Sequence, residues 1–382
     1  MTSDGDDGAD TTPLRRTRAE LGWKVSQLIA TLRRRASQTG VMLGSDKSLK
    51  TTISRHENGH VEPDADWRKL YRLAYGRTDD ELGFQTVVSA SDTPGPADDL
   101  RQQLATAQRV DMRVVQQMQQ QVHQIRLLDR RLGASSLLEQ TRSVITTLTE
   151  LAHYSLNPSV RQALAAVLSD AGALAGWQAL DVGAVQQAWG HYETAKTAAR
   201  EADAPVLLAH AMGEQAYVLH DLGRITDALG LVQEAQKLAG ESAPVLLLCW
   251  LHAVEAEVQA ASADDRCRQA LDRSAKLLPA DATDPELPFI TLNRAHHARW
   301  RGHCLARVGD GEAIDYLSVA LTQMDKTFIR ATAGLRCDLA QAFATRGELD
   351  EARKHLRNAR LLANQVGSVR QRKRIMSLGL AA

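Results

Sequence analysis

Apolar side chains recur every three or four positions along most of this chain, which is the spacing of one face of an α-helix. Between residues 13 and 84 the pattern predicts five short helices, each bounded by a capping, glycine or proline signal. The first opens at Pro13, the third ends at Asn58 and Gly59, and a short fifth surrounds Leu82. Helices this short are stable only when packed together, so residues 13–84 are expected to form one small domain.

A change of composition separates this domain from the rest of the chain. The stretch SASDTPGP combines small polar residues with two prolines, which predicts a linker over 85–97. Beyond it, a stripe of apolar residues predicts one long helix from about Ala97 toward Leu132. Further helices are predicted near 136–154 and from Pro158 onward. Together they predict a helical connector over 98–168, whose apolar stripe is a candidate dimerisation surface.

The remainder, residues 169–365, contains an internal repeat of about forty residues. Each unit has a turn, then an alanine or cysteine, a larger side chain and a second small residue at helical spacing. The turns lie at Gly183, Gly223, Ala263, Gly309 and Gly347, and a small residue lies seven positions before each of them, at Gly176, Ala216, Ala256, Gly302 and Ala340. Two antiparallel helices approach closely only where the facing side chains are small. The repeat is the tetratricopeptide pattern, and its five units predict an all-α solenoid.

Charge is unevenly distributed along a chain of 382 residues whose net charge is zero. Residues 11–77 hold 14 basic and 6 acidic side chains, a net charge of +8. A compact basic module on a slightly acidic body is typical of proteins that bind nucleic acid at one end. Four acidic residues near the start predict an acidic disordered tail over 1–12, and residues 366–382 are interpreted as a solvated basic tail. Its basic residues are Arg370, Arg372, Lys373 and Arg374.

Several classes of protein are not supported by the sequence. It has no apolar run of about eighteen residues and no signal peptide, so a cytoplasmic protein without membrane contact is expected. Its four cysteines are widely spaced in apolar helical stretches, which indicates buried thiols in a reducing compartment. No phosphate-binding glycine loop, GxSxG, HExxH or paired-carboxylate pattern occurs, so neither enzymatic activity nor a cofactor is expected.

Three histidines that lie close together in the sequence are candidate metal ligands. His296 and His303 lie seven residues apart and share a helix face, and His297 adjoins them. No carboxylate or cysteine completes a ligand set with them at convincing spacing. Ordinary groove or surface histidines are therefore the favoured interpretation, and no metal is expected.

The third helix of the first domain carries the most specific motif, Ile53-Ser54-Arg55-His56-Glu57-Asn58-Gly59. With Gly22-Trp23 and Pro63, this motif makes residues 14–82 resemble the Xre-like helix-turn-helix family of phage-repressor type. The resemblance implies an ion pair between Arg18 and Glu57. It also implies that the third helix enters the major groove of double-stranded DNA and contacts base edges.

The resemblance also implies roles for individual residues. The candidate base-contacting residues are Lys50, Thr51, Ser54 and Arg55, whose side chains can bond to base edges or touch a thymine methyl. The weaker candidates for phosphate contacts are Gln27, Arg33, Arg34 and Lys47. The sequence departs from the family pattern at Lys24-Val25, where the family usually has Ser-Gln, and at His56, where an aromatic residue is common.

The combination of this domain with tetratricopeptide repeats looks like a large group of regulators from high-GC Gram-positive bacteria. It is more distantly similar to peptide-sensing regulators. This resemblance implies a homodimer that binds an operator and holds an effector, which is a peptide, small molecule or protein, in the repeat groove. The residues expected on the concave face are Trp177, His210, Tyr217, His220, Glu257, His296, Arg299, His303 and Gln341. Plain solvation of these side chains is the alternative.

The alternative function is that of a tetratricopeptide adaptor or scaffold whose helix-turn-helix domain is vestigial. The departures from the family pattern at Lys24-Val25 and His56 are the observations that favour this alternative. The two hypotheses differ in whether Lys50 and Arg55 are needed for activity.

Overall fold

The structure is a computed structural model that describes residues 12–39, 41–84, 96–280 and 284–379. Over these residues it contains helices and no strand, which confirms the all-α class. The chain divides into two compact units, Met1–Ala97 and Asp98–Ala382. The predicted acidic tail and most of the predicted linker lie outside the described residues.

Over its described residues, the first unit contains four α-helices. They are α1 (Pro13–Glu20), α2 (Val25–Thr39), α3 (Asp46–Glu57) and α4 (Ala65–Tyr75). Side-chain oxygens of Thr12, Ser45 and Asp64 accept N–H bonds from the first turns of α1, α3 and α4, which fixes where these helices begin. The predicted fifth helix around Leu82 was wrong. The chain there forms one turn, in which the Phe84 N–H donates to the Asp79 carbonyl.

The core of the first unit explains two of its motif residues. Arg18 forms a two-pronged ion pair with Glu57, with distances of 2.6 and 2.8 Å, so the predicted pair is confirmed. His56 is buried, with its Nδ1 3.1 Å from the Tyr71 hydroxyl and its ring edge-on to Trp67. His56 is therefore a core residue that fixes the end of α3 against α4.

The second unit begins with three helices that precede the repeats. They are α5 (Pro96–Gln108), α6 (Met112–Leu132) and α7 (Leu138–Tyr154), with a short 3-10 helix at Ala134–Ser136 between the last two. The single long helix predicted from Ala97 toward Leu132 was wrong, because the chain breaks at Asp111. The Asp111 carboxylate accepts the N–H groups of Arg113 and Val114 and so starts a new helix.

Five antiparallel helical hairpins follow. Their helices are α8 (Pro158–Asp181) with α9 (Val185–Glu201), α10 (Pro205–Asp221) with α11 (Ile225–Ala239), α12 (Val245–Ala260) with α13 (Arg266–Leu277), α14 (Arg294–Arg307) with α15 (Ala313–Gln323), and α16 (Ile329–Thr345) with α17 (Leu349–Gln365). The five predicted turn residues all have positive φ, and Ala263 adopts this conformation at φ +54° without being glycine. The five small residues lie where the paired helices touch. A Cβ on Gly302 would lie 2.5 Å from Leu317 Cγ.

A final helix, α18 (Val369–Ser377), packs back on the beginning of the array. The Ser368 hydroxyl lies 2.5 Å from the Asp181 carboxylate at the end of α8, and Arg370 pairs with Asp221 at the end of α10. The interpretation of these residues as a solvated basic tail was therefore wrong. Asp221 at the end of α10 holds Arg370, and Asp338 in α16 holds Arg374, so α18 joins the last hairpin to the earlier ones.

Two apolar features of the sequence belong to the core of the second unit. Helix α8 is long and apolar enough to cross a membrane by length and composition, but 83% of that window is buried inside the protein. The thiols of Cys249, Cys267, Cys304 and Cys337 are free and buried, as predicted.

Candidate functional site

The four predicted base-contacting residues lie on one exposed face of α3. Lys50, Thr51, Ser54 and Arg55 are all exposed. On the other side of the same helix, Leu49, Ile53 and His56 are buried in the core. Helix α3 is thus anchored along one face, and its opposite, exposed face is polar and carries two cations, Lys50 and Arg55.

The four residues predicted to contact phosphates differ in their surroundings. Lys47 and Arg34 are exposed, and no carboxylate of the described residues lies within 4 Å of either. Gln27 is exposed and accepts the Lys24 N–H through Oε1 at 2.7 Å, which caps the start of α2. Arg33 instead braces the loop before α3, since it donates to Asp46 at 2.6 Å and to the Gly44 carbonyl at 2.9 Å.

The second unit encloses a cavity of about 250 Å³ between the concave sides of its hairpins. Seven of the nine residues predicted for the groove line it: Trp177, His210, Tyr217, Glu257, His296, Arg299 and His303. His220 and Gln341 do not. His220 lies 3.2 Å from Asp221, and Gln341 donates to the Ala306 carbonyl at 3.3 Å, so both serve contacts within the protein.

The sequence interpretation missed five arginines that also line this cavity. Helix α6 supplies Arg126 and Arg130, α16 supplies Arg330, and α18 supplies Arg370 and Arg374. A spacing of four residues on an amphipathic helix was the available signal, because it places Arg126 with Arg130, and Arg370 with Arg374, on one face. Their partners are distant in sequence, so pairing could not be inferred from spacing.

Four of these arginines pair with carboxylates, which are buried except for that of Asp221. Arg126 pairs with Asp170, Arg330 with both Asp129 and Asp181, Arg370 with Asp221, and Arg374 with Asp338. Burial alone would raise the pKa of Asp221, but Arg370 holds it below its ordinary value. Arg374 and His303 do the same for the pKa of Asp338, against the effect of its burial. These carboxylates therefore remain ionised and hold the arginines in place.

Two acidic side chains of the cavity, Glu214 and Glu257, have pKa values that are shifted in opposite directions. Burial raises the pKa of Glu214 to about 7, because the Tyr192 hydroxyl at 3.3 Å only partly compensates for lost hydration. Burial also acts on Glu257, but nearby cations and histidines, His303 first, lower its pKa to about 2. Glu257 accepts hydrogen bonds from the Tyr217 hydroxyl at 3.0 Å and from Trp300 Nε1 at 2.7 Å. Glu257 is thus a fixed charge, whereas Glu214 titrates near neutrality.

Arg130 and Arg299 line the cavity with no carboxylate of the described residues within 4 Å. Arg130 donates to the Thr291 hydroxyl at 2.8 Å and lies 4.7 Å above the Phe328 ring. Arg299 stacks over Trp300, and its buried Nε has no hydrogen-bond partner. Both guanidinium groups therefore lie in the cavity wall without a carboxylate of the described residues in contact with them.

The histidine cluster has no metal-ligand arrangement. Among the described residues, no group of three or more histidine, cysteine or acidic side chains could hold a metal ion. Burial lowers the pKa of His296 to about 3, with help from Arg299 and Arg130, and lowers the pKa of His297 to about 4. Both imidazoles are therefore neutral at physiological pH.

Comparison with known proteins gives a weak likeness to solved structures, among them "Crystal structure of Aspartyl phosphate phosphatase F from Bacillus subtilis". The TM-score is 0.43 and the sequence identity is 13%, over 96% of this chain and 98% of that one. At this level, nothing about the activity of that protein transfers to this chain. No family model matches the chain, and no curated protein matches it.

Proposed function

We propose that this protein is a sequence-specific transcriptional regulator that binds double-stranded DNA through its first unit. The exposed face of α3 carries the proposal. On a helix whose opposite face is held in the core, Lys50 and Arg55 can donate to guanine O6 and N7. Thr51 and Ser54 can bond to bases or phosphates or touch a thymine methyl. The fold of the first unit and its Arg18–Glu57 pair support an Xre-like helix-turn-helix domain.

The cavity of the second unit supports the regulatory half of the proposal. An effector bound there changes the relative placement of two DNA-binding units in a homodimer, which is expected because one such unit makes few base contacts. The size of the response cannot exceed the difference in effector affinity between the two arrangements. The protein acts in the cytoplasm, without a membrane, cofactor or catalytic step.

Selection of DNA from a genomic pool tests the proposal. Wild-type protein should enrich a palindromic motif at both low and high salt, whereas the Lys50→Ala and Arg55→Ala variants should not. Lys69→Ala removes an exposed charge on α4 instead and should retain enrichment. Salt is varied because phosphate contacts alone also bind DNA, with an affinity that falls steeply as salt rises.

Equal enrichment by all variants, or the lack of any motif, would refute DNA recognition by α3. That result would favour the adaptor function, in which the repeats hold a protein partner and the first unit is vestigial. Pull-downs with the second unit intact would then identify the partner.

A further inference from the structure

Closure of the repeat array limits what the cavity can hold. Helix α18 contacts α8 and α16, and its residues Arg370, Gln371 and Arg374 form part of the cavity wall. The remaining space is about 250 Å³. Small-molecule sites typically enclose roughly 300–1,000 Å³, and a cavity of about 150 Å³ accommodates benzene. The space therefore suits a molecule of one or two rings with a short substituent.

Aromatic side chains line much of this space. They are Trp177, Tyr217, Trp250, Phe289, Trp300 and Phe328. Flat rings pack best against other flat rings, in offset or edge-to-face arrangements. The lining thus favours a planar, largely apolar body.

The polar groups of the cavity lining favour a ligand that carries an acidic group. Arg126 is buried and pairs with Asp170 through one nitrogen, while its Nη1 has no hydrogen-bond partner. Arg130 lies four residues farther along the same helix, with no carboxylate of the described chain within 4 Å, and Arg299 has a buried unpartnered Nε. Charge-assisted hydrogen bonds between a guanidinium group and an anion are among the stronger ones in proteins, so an acidic ligand is favoured in a cavity lined by these arginines.

The carboxylates of the lining already have partners within the protein. Asp129 is already paired with Arg330, and Glu257 accepts hydrogen bonds from Tyr217 and Trp300. Glu214 is partly neutral at physiological pH because burial raises its pKa to about 7. The six arginines of the lining are thus matched by six carboxylates, namely Asp129, Asp170, Asp181, Asp221, Asp338 and Glu257. The preference for an anion therefore rests on the N–H groups of Arg126, Arg130 and Arg299 and not on a net positive charge.

We infer that the cavity binds a small aromatic acid, with its carboxylate or phosphate held by Arg130 and Arg299 beside Arg126 and its ring among the aromatic side chains. This inference rests on the proposed effector role of the cavity and does not depend on DNA binding. The proposed ligand is a compact anion, whereas the distantly similar regulators bind a peptide.

Binding of matched probes to the full chain, without DNA, tests the inference. The acids are benzoate, indole-3-acetate and phenyl phosphate, and the neutral partners are benzamide and indole-3-acetamide. Binding is measured by isothermal titration calorimetry and by the rise in melting temperature. At least one acid should bind, and the matching amide should bind at least about tenfold more weakly. The carboxylates and phenyl phosphate distinguish the two kinds of acidic group.

Substitutions of single arginines test which of them bind the anion. Arg130→Gln and Arg299→Gln should each weaken acid binding about tenfold or more, and Arg130→Lys should retain part of the affinity. Arg131→Gln, at an exposed position on the same helix, should bind like wild type. Circular dichroism checks that each variant is folded before binding is measured.

Three outcomes would overturn the inference: no binding of any acid, equal binding of acid and amide, or unchanged binding by the folded Arg130→Gln and Arg299→Gln variants. A protein that selects DNA but binds none of the acids refutes this inference alone. A protein that binds an acid but selects no DNA refutes the proposed function of the first unit and leaves the cavity assignment standing.

Discussion

Replacing Arg370 with alanine measures how strongly α18 holds the array closed. Arg370 donates hydrogen bonds of 2.7 and 2.8 Å to Asp221. The two side chains are 19% and 23% exposed. Removing one partner of a buried ion pair leaves the other charge uncompensated, which typically costs about 3–5 kcal/mol. Because both side chains keep some contact with water, we expect a loss of about 3 kcal/mol in the free energy of unfolding.

This loss corresponds to a measurable change in melting temperature. The second unit has about 285 residues, and about 2.1 cal/mol/K per residue gives an unfolding entropy of about 0.6 kcal/mol/K. The melting temperature of Arg370→Ala should therefore fall by about 5 °C. Tryptophan fluorescence follows the transition. Amide hydrogen exchange should show faster exchange in α18 than in the wild-type protein.

A double-mutant cycle separates the ion pair from loss of packing. Asp221→Ala should cost a similar amount, and the variant lacking both side chains should cost clearly less than the sum, because neither charge is left alone. Lys373→Ala, exposed on the same helix, should change stability by less than about 0.5 kcal/mol. Costs that add to within about 0.5 kcal/mol would refute the coupling between α18 and the second hairpin.

Three further predictions concern single positions in the second unit. The raised pKa of Glu214, about 7 against an ordinary 4.5, means that its neutral carboxyl contributes stability below the ordinary pKa and that this stability is lost as pH rises through 7. Glu214→Gln should melt like wild type at about pH 4 and be up to about 3 kcal/mol more stable at about pH 8, and parallel pH profiles would contradict this. Gly302→Ala should lower the free energy of unfolding, measured with a chemical denaturant, by about 1–3 kcal/mol, because the new Cβ would overlap Leu317. Gly311→Ala has open space around it and should be nearly neutral. Equal losses for the two variants would be evidence against the tight contact at Gly302. Ala263→Gly should gain about 0.5–1 kcal/mol, because alanine at φ +54° is strained, and a loss of stability would show that the strain is not there.

The repeats were predictable because their requirements are local. A turn that needs positive φ and a small residue seven positions earlier lie within a single hairpin, so five recurrences of both were visible in the sequence. The ends of most helices were visible for the same reason. The break at Asp111 also has a local cause, a capping aspartate, but the continuous apolar stripe on both sides of it favoured one helix.

The cavity was only half predictable. The concave residues of the hairpins follow from the repeat register, which explains why seven of nine predicted groove residues line the cavity. The arginines do not follow from it, because their partners are remote: Arg370 and Asp221 are 149 residues apart, and Arg330 and Asp129 are 201 apart. Such pairs form only after the array closes, and helix periodicity carries no information about that closure. The same limitation made α18 look like a solvated tail.

The contact between Ser368 and Asp181 also restricts how this protein can evolve. An open solenoid gains or loses repeats readily, because each repeat touches only its neighbours. Here the first and last of the five hairpins are in contact, so the number of repeats determines the size of the closed array. Deleting or duplicating one hairpin would separate Ser368 from Asp181 and Arg330 from Asp129 at once. Change in this lineage is therefore expected by substitution on the cavity wall, at a constant number of repeats.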